Sequence, residues 1–518
     1  MRKVYSLILT VTMLGAMLAG CSGGSGNGNN TGGNTPPSDA SQPSNDAAEP
    51  TGEASGKSIK LEVIETGNNL PSPDKDMIKQ ELDKALNIDL NLTVYPSGDD
   101  YKNQLNVRMA SGNFPDLFMV DRQQLIQFSK QGLLLDLTPY LDKLQKTVDF
   151  IGEDSVKKGT VDGKVFAVSK SPQIPYNTYW IRKDWLDKLQ LAVPTTIEEL
   201  AKAAEAFTKQ DPDGNGKPDT IGLTGGKLGA FGPVFGAFGV GGPGTFYEKD
   251  GAIVNSLYDP AMKDALTFIQ QMVAAGSVDP ELLANSGLQH QEKAIKGQAG
   301  IVYLDWPNMT KEQFVEQIKT VNPNAEWLQI AAPAGPGGQF DGTWDIGASP
   351  GRFAIPKALE KDPEKLQRIF DLLNYISDPA GGSMLVQFGV KDTHYTLEGD
   401  VPKMTDKAGE VGHSWLYQFT GRPEMEYLQA KFALQSKEIQ FSNDQPRIET
   451  LGGFIDNPEG YNPADGDRYI EEEFAKFIYN KRPIAEYDDF VKTLESSMNY
   501  KALMDSATEQ LKALGFGG

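Results

Sequence analysis

The 518-residue chain sets 49 Lys and Arg against 70 Asp and Glu, for a net charge of −21, and holds one cysteine and three histidines. That balance argues against nucleic acid, whose phosphates need a basic footprint, and against peripheral docking on anionic lipid. His290, His394 and His413 stand far apart without metal-ligand spacing, which argues against a histidine-built zinc site.

Arg2 and Lys3 precede an almost wholly apolar run over residues 4–18. The run is short for a membrane span but suits the core of a secretory signal. It ends in Leu18-Ala19-Gly20-Cys21, which resembles the lipobox of bacterial lipoproteins, where the signal is cut before a cysteine that is then acylated. Cys21 is the only cysteine, so it has no disulfide partner, and lipidation gives it a role. Each buried methylene of an acyl chain adds about 0.8 kcal/mol to anchoring. Residues 22–57 are rich in Gly, Ser, Asn, Pro and Thr and cannot bury enough apolar surface to fold. They read as a tether with an end-to-end distance of about 33 Å.

The rest of the chain is too long for one core and suggests two or three lobes. Ile59–Thr66 reads as a strand, residues 74–86 as a helix, Ile88–Tyr95 as an alternating strand, 99–110 as a helix and 115–120 as a short apolar strand. A second such region follows. It holds a strand over 178–181, a helix over Ile197–Lys209 capped by Thr196, a strand over 221–224, a helix over 260–275, and strands over 299–304 and 327–332. Pro363–Ser377 is a helix with an apolar face. Past Gly389 the pattern weakens, with helices over 471–479 and, with breaks, 487–514. Strands alternating with helices imply parallel sheets, whose ligands sit beyond the carboxyl ends of the strands.

Several segments carry a resemblance to a known family. Besides the lipobox, they are Met109-Ala110-Ser111-Gly112-Asn113-Phe114-Pro115-Asp116, Trp180-Ile181-Arg182-Lys183-Asp184-Trp185-Leu186-Asp187-Lys188-Leu189 with Pro194-Thr195-Thr196, Gly297-Gln298-Ala299-Gly300-Ile301, and Phe388-Gly389-Val390 with Tyr395-Thr396. Together they resemble extracellular solute-binding proteins, family 1, the lipoproteins of carbohydrate-uptake ABC transporters. The resemblance implies an α/β, two-lobed periplasmic-binding-protein fold of type II kind, with a hinge, a ligand cleft and added C-terminal helices. It also implies a function without catalysis: capture of an oligosaccharide or glycoside by lobe closure and delivery to permease subunits, by a monomer anchored on the outer face of the cell membrane. The expected organisation is a signal over 1–20, lipidated cysteine and tether over 21–57, and a first lobe over 58–175. A second lobe spans 176–343, a return to the first 344–400, and a helical part across both lobes 401–518. Little after about Gly399 matches.

Asp211, Asp213, Asn215, Lys217 and Asp219 stand at positions one, three, five, seven and nine of a loop with Gly216 at six, the spacing of a calcium loop. Four supply oxygen side chains and Lys217 its backbone carbonyl. Gly222 stands where an EF-hand has the bidentate Glu of position twelve. The loop sits beside no obvious nucleophile and the strand over 221–224 replaces the exiting helix, so a structural Ca2+ is expected, without sensing. Gly347-Ala348-Ser349-Pro350-Gly351 matches a hydrolase elbow, but Pro350 cannot donate the oxyanion-hole N–H and a strand, not a helix, follows. Residues 239–244 match G-x-G-x-x-G without the strand–helix context that dinucleotides need.

A sugar offers an apolar ring face to aromatics and a hydroxyl rim to carboxylates, amides and Arg. The candidate ligand residues are Asp121 at the end of the third strand, Tyr176 and Asn177 before the lobe crossing, and Trp306 just past the strand over 299–304. Trp344 and Asp345 in a Gly-rich stretch, Arg352 placed to pair with a uronate carboxylate, and Trp415 with Tyr417 complete the set. Trp185 is assigned to the core. A peptide- or siderophore-type binding lipoprotein and a lipid-anchored polysaccharide-degrading enzyme remain as alternatives.

Overall fold

Apolar residues alternate along Ile59–Thr66, so Leu61 and Val63 enter one face of a sheet and Ile64 the other. This strand runs parallel to Ile88–Tyr95 and to Leu117–Val120, and Arg352–Ala354 runs antiparallel between Leu117–Val120 and Ala167–Ser169 to complete five strands. The computed structural model describes residues 57–96 and 98–518. The signal, Cys21 and all of the tether but Lys57 therefore lie outside the described residues.

Helices seal both faces of this first sheet. Met77–Leu86 starts after Asp76, whose carboxylate accepts from the Ile78 and Lys79 amides, and stops at Asn87 in the left-handed region (φ 51). Pro363–Ser377 buries Leu366, Ile369, Phe370 and Leu373 against the same core, at about 1.5–3 kcal/mol for each large side chain taken from water.

The second sheet has the order Trp327–Ile330, Asn177–Arg182, Ala299–Asp305, Ile221–Gly225. Only the last two strands are parallel. Tyr179 and Ile181 point into one core with Ile301 and Leu223, while Trp180, Val302 and Leu304 enter the opposite one. Helix Ile197–Lys209 begins where expected, with a reciprocal bond between Thr196 and Glu199. Trp185 is buried against Phe207, as assigned.

A third, antiparallel-rich sheet belongs to the second lobe: Ala252–Asn255, Phe246–Lys249, Ile448–Thr450 and Thr343–Asp345. Trp344 and Asp345, expected to open the return to the first lobe, thus still belong to the second. The return is made by Arg352. Of the residues beyond 400, Leu416, Tyr417 and Phe419 join the first lobe's core, and Tyr427, Leu428 and Ile439 cover the outer face of the second sheet. Pro463–Ile478, Tyr487–Met498 and Tyr500–Ala513 pack on the second lobe, the last two parted by Asn499 at φ 56. Arg352–Ala354 follows the elbow-like motif as a strand, and the Ser349 hydroxyl donates to the Gly351 carbonyl at 2.8 Å.

Candidate functional site

The carboxyl end of the first sheet gathers charge. Asp121 follows the strand Leu117–Val120 and caps helix Arg122–Lys130 by accepting the Gln124 amide at 2.8 Å, and it pairs with Lys102 at 2.8 Å. Next to it in register lies Arg352, opposite Val120 and Ser169. The Arg352 side chain is buried, and its Nε donates to the Lys158 carbonyl at 2.9 Å, at the end of helix Glu153–Lys158. Asp345 is held by the Gly347 and Gly453 amides, each at 2.9 Å, and burial raises its pKa. Arg122 reaches across to the second lobe, donating to Asp456 at 2.8 and 3.1 Å while also bonding the Thr160 carbonyl at 2.8 Å. Beside these groups Trp415, 37% exposed, lines a pocket of about 140 Å³ with Lys170, Ser171, Gln173 and Pro350.

The carboxyl end of the second sheet is different. A cavity of about 480 Å³ opens there, lined by Phe235, Tyr303, Thr343, Gly232 and Gly342, with Lys227 and Glu471 at its margin. Gly232 and Gly342 let two backbone segments meet: a Cβ on Gly232 would stand 3.6 Å from the Gly342 Cα. Tyr303 packs edge-on against Tyr179 with centroids 5.4 Å apart. A cavity of about 540 Å³ lies on the third sheet among Phe238, Tyr247, Phe340, Arg447 and Phe516, with Glu248, Lys249 and Glu449 also in its lining.

Three of the sequence candidates are placed away from an open wall. Trp306 is 1% exposed. Asp305 caps the short helix Trp306–Thr310, and this turns the indole back onto the outer face of the sheet, edge-on to Tyr176 and Phe432. Tyr417 is buried in the first lobe's core, donating to Asp76 at 2.6 Å beside the His413 ring, whose Nε2 lies 3.0 Å from the same carboxyl. Tyr176 donates to Glu424, which Arg422 also holds, while the Arg422 guanidinium stands 4.0 Å over the Tyr427 ring. Tyr176 is therefore part of the lobe crossing. Asn177 is exposed, and its backbone carbonyl takes an Arg447 bond at 2.7 Å. Trp344 is half-buried on the strand Thr343–Asp345.

In the loop after helix Ile197–Lys209, Asp211 accepts the Gly214, Asn215 and Gly216 amides at 3.0–3.1 Å. The Asn215 side-chain nitrogen donates to Asp213 at 2.6 Å and to Asp219 at 3.1 Å. A hydrogen bond from Asp213 holds Asp211 below the usual carboxylate range, while burial and that shared bond push Asp213 up. Like-charged carboxylates drawn this close fit a hard cation, which would take the place of the Asn215 amide nitrogen. Among the described residues no three acidic, His or Cys side chains surround one point.

Residues 67–382 match the model of the bacterial extracellular solute-binding protein family. The chain belongs to that family. Over 521 residues this solute-binding protein is 26% identical to the polygalacturonan/rhamnogalacturonan-binding protein YtcQ of Bacillus subtilis, covering 97% of this chain and 92% of the relative. A human-milk-oligosaccharide (HMO) binding, ABC-transporter-associated solute-binding protein from Bifidobacterium longum infantis superposes with a TM-score of 0.68 at 19% identity, over 88% of this chain and all of the other. So does an EF-hand mutant of the FusA substrate-binding protein of Streptococcus pneumoniae, solved with fructo-nystose, at a TM-score of 0.65 and 20% identity, over 88% and 100%. The two-lobed solute-binding architecture thus extends past the family match into the C-terminal helices.

Sequence reasoning passed over Lys158, Lys170, Arg122, Tyr303 and Asp456 in this solute-binding protein. Tyr303 had a signal, since in Ala299–Asp305 it is the one large side chain that carries a polar tip toward the strand end. Lys158 had none, because its helix is six residues long.

Proposed function

We propose that this chain is the extracellular carbohydrate-binding component of an ABC importer. It takes an oligosaccharide or glycoside between its lobes and presents it, intact, to permease subunits. The observation that carries this reading is the pairing of an exposed indole, Trp415, and a charged rim on one lobe with an aromatic, glycine-lined cavity on the other. Such a pair suits a ring face and its hydroxyls. The glycan ligands named for YtcQ and FusA support it. In the proposed cycle the ligand shifts an open–closed equilibrium by touching both walls, and no carboxylate pair is assigned a catalytic role. Anchoring through Cys21, a monomeric state, and a structural Ca2+ held by Asp211, Asp213, Asn215, Asp219 and the Lys217 carbonyl complete the proposal. The EF-hand of FusA supports the metal.

A thermal-shift panel of oligosaccharides on the purified chain tests this. A ligand at a hundred times its Kd stabilises the fold by about 2.7 kcal/mol, and the glycan is expected back intact. Trp415→Ala should weaken affinity about tenfold or more. Stabilisation by peptides or iron chelates and by no glycan would overturn the carbohydrate reading, and release of reducing ends would favour an enzyme.

A further inference from the structure

Most cations at the carboxyl end of the first sheet have a carboxylate: Lys102 has Asp121, Arg122 has Asp456, and Lys170 has Glu65 at 3.7 Å. Two do not. Arg352, 6% exposed, spends only Nε, on a carbonyl, and no carboxylate lies within ion-pair distance of its two terminal nitrogens among the described residues. Lys158, 7% exposed, makes no hydrogen bond or ion pair through Nζ among the described residues. The two are adjacent, because the carbonyl that takes the Arg352 bond is that of Lys158 itself. A third donor is also idle. Ser169, paired in register with Arg352, is fully buried and its hydroxyl has no partner among the described residues.

Buried cations are costly unless an anion or a hydrogen-bond acceptor meets them. Here the nearby carboxylates are engaged elsewhere: Asp121 by a helix end and Lys102, Asp345 by two amides, Asp456 by Arg122. Asp154 is exposed and bonded to Lys157. Burial pushes the Arg352 guanidinium down to about 10, with Arg122 adding to the effect and the three carboxylates opposing it. Burial likewise lowers Lys158, against Asp154 and Asp345. In a chain of net charge −21, two buried cations without an ion-pair partner at one sheet end are a place kept for an anion.

We infer that Arg352 and Lys158 form a carboxylate subsite, and that the ligand is an acidic saccharide carrying a uronate at that end. A guanidinium takes a planar carboxylate through two parallel bonds and an ammonium adds a third. Ester or amide forms of the same sugar lose that charge. The inference rests on the carbohydrate reading above and narrows it.

Isothermal titration of the full chain with trigalacturonate, its methyl ester and neutral galactotriose tests it. Trigalacturonate should bind, with esterification weakening it at least tenfold, and Arg352→Gln or Lys158→Met should each remove most of that preference. Arg352 also caps a helix, so its variant is at risk of misfolding. Lys158→Met is free of that risk, since the ammonium bonds nothing among the described residues. Equal binding of acid and ester, or an unchanged preference in Lys158→Met, would overturn the subsite. Binding of galactotriose alone would overturn it and leave the carbohydrate reading standing. Binding of none of the three would also overturn it, and the broader panel then decides the fate of that reading.

Discussion

The two lobes reach the cleft with different chemistry. The first sheet ends in charges: Asp121, Arg352, Lys170 and, behind them, Lys158 and Arg122. The second ends in a cavity of Tyr303, Phe235, Thr343 and a pair of touching glycines, with Lys227 and, from helix Pro463–Ile478, Asp467 and Glu471 also in its lining. The difference follows from topology. In the first sheet, four parallel strands and one antiparallel neighbour bring strand ends, a helix start and a helix end to one place, and each of those termini attracts a charge. In the second, the antiparallel strand Asn177–Arg182 and a third sheet occupy the corresponding space, and backbone packs on backbone. One wall can orient a charged or hydroxylated rim, and the other can hold a ring face.

The largest effect expected on this contrast comes from the first lobe's buried carboxylate. Asp76 is a helix cap and also accepts from Tyr417, with His413 beside it. Asp76→Ala loses the cap and leaves two buried polar groups without their partner, about 4 kcal/mol together, read by urea denaturation. Burial alone would raise the Asp76 pKa, but bonds from His413, Tyr417 and the Lys79 amide outweigh it and the pKa is lowered. Its contribution is therefore complete above the ordinary carboxylate pKa and is lost as pH falls through the folded value. Stability that stays within 1 kcal/mol of the parent would show that the first lobe does not depend on this carboxylate.

Each lobe also buries an acid of the opposite kind. Burial pushes Glu65 up to about 7 despite Lys170, and Asp341 up to about 7 despite Arg447. The folded state holds these protons more tightly than the unfolded chain, so the contribution is complete below about pH 4.5 for Glu65 and about pH 3.8 for Asp341, and both decline as pH rises through 7. For Glu65 the span is on the order of 3 kcal/mol. Glu65→Gln should reduce the slope of the stability profile between pH 5 and 8, leaving the part that Asp341 contributes. A profile unchanged by the substitution would place the titration elsewhere.

How far the sequence revealed this depended on range. The alternation in Ile59–Thr66 and the Thr196–Glu199 capping signal are local, and the corresponding elements start and stop within a residue or so of expectation. The third sheet did not show as a sheet: its strands of three or four residues come from 246–255, 343–345 and 448–450, and only residues 245–247 read as strand-like in the sequence. The same limit applies to the site. Trp415 and Arg352 stood out by residue type, but the burial of Trp306 depends on Phe432, more than a hundred positions away. The lack of an ion-pair partner for Lys158 among the described residues is a property of several segments at once, and no one of them shows it.

The loop proposed to hold Ca2+ belongs to the second lobe alone, which makes it a way to perturb one wall. Chelation should remove about 2.7 kcal/mol if Ca2+ is present at a hundred times its Kd, seen as a lower melting temperature that excess Ca2+ restores. Asp211→Asn should abolish the response. A melting curve indifferent to both chelator and Ca2+ would leave the loop a polar turn and no more.

The smallest effect is expected where the walls touch. Arg122 and Asp456 join the lobes, and their side chains are 21% and 31% exposed, so the pair contributes under about 1 kcal/mol to folding. Asp456 is otherwise tied to its own lobe through its backbone, with the Asp456 amide donating to Gln510 at 2.7 Å and Gln510 donating back at 2.9 Å. Asp456→Asn should therefore barely move the melting temperature. It should instead favour the open form and raise the rate of ligand release by about threefold, measurable by stopped-flow displacement. A large loss of stability with an unchanged release rate would mean that the pair is part of the folded scaffold, and that closure is held by ligand alone.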